Sequence, residues 1–143
     1  MIGDQMHKIS RILVCVDGSP NSLRAVEMAG DLARLYSAKV DLLFVVGPAE
    51  HSMLGGKEVW SGEGENIGDI ELNHAIEIVK KAGVEVTRDV DFGHPVEKIL
   101  ERSEGADLVV LGTRGMSAKK MVAWGGVSMR VSQMSKVPVL VVP

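Results

Sequence analysis

Aromatic residues are scarce: Phe, Trp and Tyr together make up 3% of the chain. The core must therefore be built from Val, Leu, Ile, Met and Ala, and an aromatic stacking platform for single-stranded nucleic acid is not expected. Cysteine is nearly absent as well. Cys15 stands alone, which excludes an internal disulfide and a cysteine-rich metal site and fits a reducing, cytoplasmic setting. No apolar run approaches the roughly 18 residues of a membrane span. The opening MIGDQMHKIS lacks the apolar stretch of a signal peptide, so no membrane association is expected. Excess positive charge is missing too. The formal net charge is −3, which creates no global field for DNA or RNA. The histidines, at 7, 51, 74 and 94, show no close metal-ligand spacing.

What is present is a regular alternation of strand and helix signals. A chain of 143 residues predicts one domain. Ile12–Val16 (ILVCV) is a continuous apolar run, the pattern of a strand covered on both faces. Ser19 and Pro20 then fit the N-cap and first position of a helix. Val26, Ala29, Ala33 and Tyr36 give that helix one apolar face. Lys39–Val46 (KVDLLFVV) predicts a second strand. Residues 47–66 are rich in Gly, Ser and Glu without a clear period, and are expected to be a mobile loop near a site or to hide a short helix.

Helical spacing resumes from about Ile67 to Ala82 through Leu72, Ala75, Ile76 and Val79, with Gly83 as the stop. Val84–Val90 (VEVTRDV) alternates, as a half-exposed edge strand does. Gly93-His94-Pro95 opens a short helix with Val96, Ile99 and Leu100 inward. Asp107–Leu111 is a nearly apolar, central strand. Val127, Val131 and Met134 mark a last helix, and Val139–Val142 a fifth strand. The expected fold is an open five-stranded parallel sheet with helices on both faces, Rossmann- or flavodoxin-like, in the order 3-2-1-4-5. Residues 1–143 would form this one domain, with a variable loop at about 47–66.

In such a sheet ligands bind beyond the carboxyl ends of the strands, where the strand order reverses. Strands one and four, the most continuously apolar, bring Asp17-Gly18-Ser19 and Gly112 to that crevice. The segment 112–130, GTRGMSAKKMVAWGGVSMR, carries Arg114, Lys119, Lys120 and Arg130 and no carboxylate. Its glycines allow backbone N–H groups to converge on an anion. Gly125-Gly126-Val127-Ser128 leads into the last helix, whose N-terminus favours a phosphate. Ser128 offers a hydroxyl or a cap. Arg114, with Lys119 and Lys120, is a candidate to face the phosphate. The plainer reading of these glycines is a tight strand–helix turn, and that of the cations a solvated surface. The Lys-Ser/Thr ending of a Walker loop is missing.

The spacing Gly112-x2-Gly115-x9-Gly125, after DLVVLG and before VS, resembles the nucleotide-binding signature of the universal stress protein family. ILVCVDGSPNS, KVDLLFVV, GHPVEKIL and PVLVV are similar to the family's other segments, so the resemblance spans nearly the whole chain. It implies an adenine-nucleotide-binding, stress-linked regulatory protein holding ATP or AMP. With no metal-ligand spacing in the chain, Mg²⁺ is expected only as it arrives with ATP. It also implies a homodimer joined through the C-terminal strand.

Carried over by position, the resemblance places Asp17 at the ribose and the backbone of Val45 at the adenine edge. Gly112 and Gly115 form one half of the phosphate loop, and Gly125, Gly126 and Val127 the other. Asp17 alternatively caps the turn, and Val45 is alternatively plain strand core. Gly126 departs from the pattern, where Ser or Thr usually supplies a hydroxyl to the phosphates. Two alternatives follow: a slow or partner-dependent ATPase, and a dimeric interaction module with a vestigial pocket. No base for water stands out, so no catalytic residue is assigned. Cys15 reads as a small core residue, and His94 as a loop histidine.

Overall fold

The computed structural model describes residues 8–48, 68–113 and 126–143. Its element order is β1 (Arg11–Cys15), α1 (Pro20–Tyr36), β2 (Lys39–Val46), α2 (Asp69–Lys81), β3 (Val86–Phe92), α3 (Pro95–Ser103), β4 (Leu108–Gly112), α4 (Gly126–Met134) and β5 (Val139–Val142). The strands form one sheet in the order β3-β2-β1-β4-β5, and every neighbouring pair is parallel. This is the expected architecture and order. The segment 49–67, and with it nearly all of the loop expected at 47–66, lies outside the described residues.

Strand side chains alternate between two faces, and each face carries its own core. Ile12, Val14 and Val16 of the first strand region pack with Val40, Leu42, Val110 and the inner stripes of α1 and α2. Leu13, Leu43, Val109 and Leu111 pack on the other side with Ile99 of α3 and Val131 of α4. The central strands β1 and β4 are buried on both faces, which is why they read as continuous apolar runs.

The first helix begins as its sequence predicts. Ser19 caps it, its Oγ accepting from Ser22 N at 3.2 Å, a device worth about 1 kcal/mol. Its far end differs from expectation. Val26, Ala29 and Ala33 are buried, but Tyr36 is exposed, because the helix ends there and Ser37 turns the chain with a left-handed backbone at φ 56°. The last helix differs likewise. Val131 is buried whereas Val127 and Met134 are exposed, since a nine-residue helix presents little more than its centre to the sheet.

The third strand starts two residues later than its alternation predicts. Gly83, at φ 76°, turns the chain out of α2. Val84 is buried just after that turn and Val86 is the first residue paired to β2. β3 and β5 are the two sheet edges. At its amino end β1 is locked to β4 by Asp107, whose Oδ2 accepts from Ser10 N at 2.8 Å and Arg11 N at 3.0 Å.

Candidate functional site

The strand order reverses between β1 and β4, and three segments meet at the carboxyl edge there. The first is the turn Asp17-Gly18-Ser19 after β1. Asp17 is half-buried and accepts from Ser19 N through Oδ1 at 2.9 Å. Its own N–H donates to Ser22 Oγ at 3.2 Å. Gly18 has φ 82°, and an added Cβ there would lie 2.8 Å from Glu71 Cγ. A side chain at that turn would meet both backbone strain and a neighbour.

The second segment is the end of β2. Leu43 O accepts from Val16 N at 2.8 Å, so the N–H and C=O of Leu43 face β1. Backbone groups alternate along a strand with a period of two. The N–H and C=O of Val45 therefore face the same side, beyond Cys15↔Leu43, the last β1 pair in that ladder. A flat heterocycle edge entering between β1 and β2 would meet both groups. The Val45 side chain meanwhile packs against the second core, so the two readings of this residue are compatible.

The third segment is the end of β4 with the first turn of α4. Gly112 is held by close packing. An added Cβ would lie 2.8 Å from Asn21 Cβ and 2.9 Å from the Asn21 carbonyl carbon, so only glycine lets the first turn of α1 come this close. Thr113 accepts from Asn21 Nδ2 through Oγ1 at 2.9 Å. Its carbonyl accepts from Ser128 Oγ at 3.1 Å. Ser128 is buried, and its hydroxyl donates to the Thr113 carbonyl. Gly126 and Val127 form the start of α4, with Val127 exposed. Gly115, Gly125, Arg114, Lys119 and Lys120 lie outside the described residues.

Asp17, Val45, Gly112, Gly126, Val127 and Ser128 thus all belong to one edge of the sheet. Sequence reasoning missed Asn21 and Thr113. Both stood inside quoted motifs, DGSPNS and GTRG, as spacers, and the available signal was a short polar side chain next to Gly112 and another three residues after Gly18. Cys15 is partly buried just below the crevice. Burial, and secondarily the nearby charge of Asp17, push its thiol up to about 12. It is therefore a protonated packing group at neutral pH. Among the described residues no cluster of three or more His, Cys, Asp or Glu is placed to hold a metal ion.

A family model described as the universal stress protein family matches residues 8–143. The universal stress protein YxiE of Bacillus subtilis is 32% identical, over 93% of this chain and 98% of its own. A universal stress protein solved in complex with cAMP superposes with a TM-score of 0.68 at 26% identity, covering 94% of this chain and 97% of that one. An Archaeoglobus fulgidus universal stress protein in complex with dAMP shares the fold. Its TM-score is 0.70 at 20% identity, over 96% of this chain and all (100%) of that one.

Proposed function

The chain belongs to the universal stress protein family, and from that premise we propose that it binds an adenine nucleotide, ATP or AMP, as a cytoplasmic, dimeric stress-response regulator. The observation that carries this reading is the meeting of three kinds of group where the strand order reverses. A half-buried carboxylate (Asp17), a strand-edge amide and carbonyl (Val45) and the first turn of α4 all follow or end strands at the carboxyl edge of the sheet, about β1. They suit, in turn, ribose hydroxyls, a purine edge and a phosphate. The relative solved with cAMP supports the choice of an adenine nucleotide.

Holding is favoured over cleaving. Phosphoryl transfer to water needs a positioned nucleophile and charge stabilisation, and Asp17 is the described carboxylate in the β1 turn, at the ribose end of the site. The Mg²⁺ of MgATP would arrive with the ligand. A second reading, an interaction module with a vestigial pocket, is favoured by the phosphate side. Gly126 lacks a hydroxyl, and the Ser128 hydroxyl donates to the Thr113 carbonyl.

Denaturing the purified protein and identifying released nucleotide by mass spectrometry separates the two. ATP or AMP near one per chain is expected, together with saturable binding by calorimetry. No released nucleotide and no binding would leave the interaction module. Asp17→Ala is expected to weaken ATP about tenfold or more, the worth of a charge-assisted hydrogen bond, without unfolding the domain. Unchanged affinity would remove Asp17 from the ribose site.

A further inference from the structure

Thr113 joins three elements through three of its own groups. Its N–H donates to Val142 O of β5 at 2.9 Å. Its Oγ1 accepts from Asn21 Nδ2 in the first turn of α1 at 2.9 Å. Its carbonyl accepts from Ser128 Oγ in the first turn of α4 at 3.1 Å. The close approach that makes this possible is the glycine contact one residue earlier, where Gly112 lies against the Asn21 backbone. Asn21 is followed by Ser22, which accepts from Asp17 N and donates to Ser19 O, both at 3.2 Å. A continuous run of bonds therefore links the Asp17 turn to the start of α4.

We propose that Thr113, with Asn21, is a positioning residue that sets the α4 N-terminus against the Asp17 turn and thereby fixes the phosphate end of the nucleotide site. The inference rests on the nucleotide-binding reading given above. Its physical basis is directional. The N–H groups of a helix start attract an anion strongly at short range, and the effect falls off within the first turn. An α4 start that is free to shift against the Asp17 turn cannot serve ribose and phosphate at once, and a site left loose by its supporting shell loses affinity. The adenine and ribose groups, Val45 and Asp17, are held by β2 and by the Ser19–Ser22 cap. They do not depend on the Thr113 hydroxyl.

Titration calorimetry with ATP and, separately, adenosine on the full chain tests this. Thr113→Val keeps the β-branched shape and removes the acceptor. ATP affinity is expected to fall about tenfold, as when the shifted α4 start loses one hydrogen bond to the charged phosphate, with adenosine affinity unchanged. Thr113→Ser should restore ATP binding. Asn21→Ala should match Thr113→Val, and the double variant should be no worse than either, as for two ends of one contact. Equal loss for ATP and adenosine, or no loss for either, would overturn the positioning role. If the unaltered chain binds neither ligand, the nucleotide reading itself falls and this inference with it.

Discussion

At the scale of single residues the carboxyl edge is organised by small polar side chains that bond to backbone. Asp17, Ser19 and Ser22 satisfy the turn and helix start among themselves, and the free N–H groups of a helix start need such partners. Cys15 lies at the end of β1, beneath this cluster, and its chemistry follows from its surroundings. Burial holds the thiol protonated to about 12, and the thiolate is the reactive form. Alkylation by iodoacetamide at pH 8 should therefore be slow in the folded protein and rapid in denaturant. Equal rates would show the thiol to be open. The linkage has a definite sign. A folded-state value raised above that of the unfolded chain means that the unfolded thiol ionises first. The stability contribution is whole below the unfolded value, near 9.0, and is lost as pH rises towards about 12. Urea titrations of the wild type and Cys15→Ala should show the wild type losing stability relative to the variant between those pH values.

At the scale of elements, strands were more legible in the sequence than the joints between them. KVDLLFVV and VLVV fold as strands over the ranges their apolar runs mark, and Ser19-Pro20 opens α1 as cap chemistry requires. VEVTRDV misled because its alternation begins before the ladder: Val84 is buried just after the Gly83 turn, ahead of Val86, the first paired residue. Periodicity measures burial, and a buried residue leading into a strand carries the same signal as a strand residue. The site was partly legible for a related reason. Asp17 and Gly112 sit in recognisable motifs, whereas the Asn21–Thr113 bond joins residues 92 apart in sequence, which no local pattern encodes. Gly112 itself has a double character. It stands in a nucleotide signature, yet its visible constraint is packing of β4 on α1. Gly112→Ala should therefore destabilise the fold by about 1–3 kcal/mol, the usual cost of forcing atoms into a filled space. Chemical denaturation with and without ATP would check this, and a neutral result would show that α1 can move aside.

At the scale of the whole molecule, the two sheet edges are unlike. The β3 edge carries Arg88, Asp89 and Asp91. Arg88 pairs with Asp69 of α2, and Arg102 of α3 bridges Asp89 at 2.6 Å and Asp91 at 3.3 Å. Charged side chains on an edge strand hinder addition of another strand. The β5 edge is Val139-Leu140-Val141-Val142, without a charge, and three of its four residues are only partly buried. β5 is paired to β4 on one side, and among the described residues no strand pairs with its other edge, which runs beside apolar side chains. A second copy meeting this strand would cover both, and a two-fold pairing of identical short strands closes on itself and does not propagate. The chain is therefore expected to sediment as a dimer. Val141→Lys, which brings the charge that β3 already has, should shift it towards monomer in sedimentation velocity, with the circular dichroism of the fold retained. Because Thr113 N bonds to Val142 O, loosening β5 should also reach the crevice. The monomeric variant is expected to bind ATP more weakly than the dimer. A dimer that persists in Val141→Lys would place the contact on another surface, and a monomer with undiminished ATP affinity would separate assembly from the site.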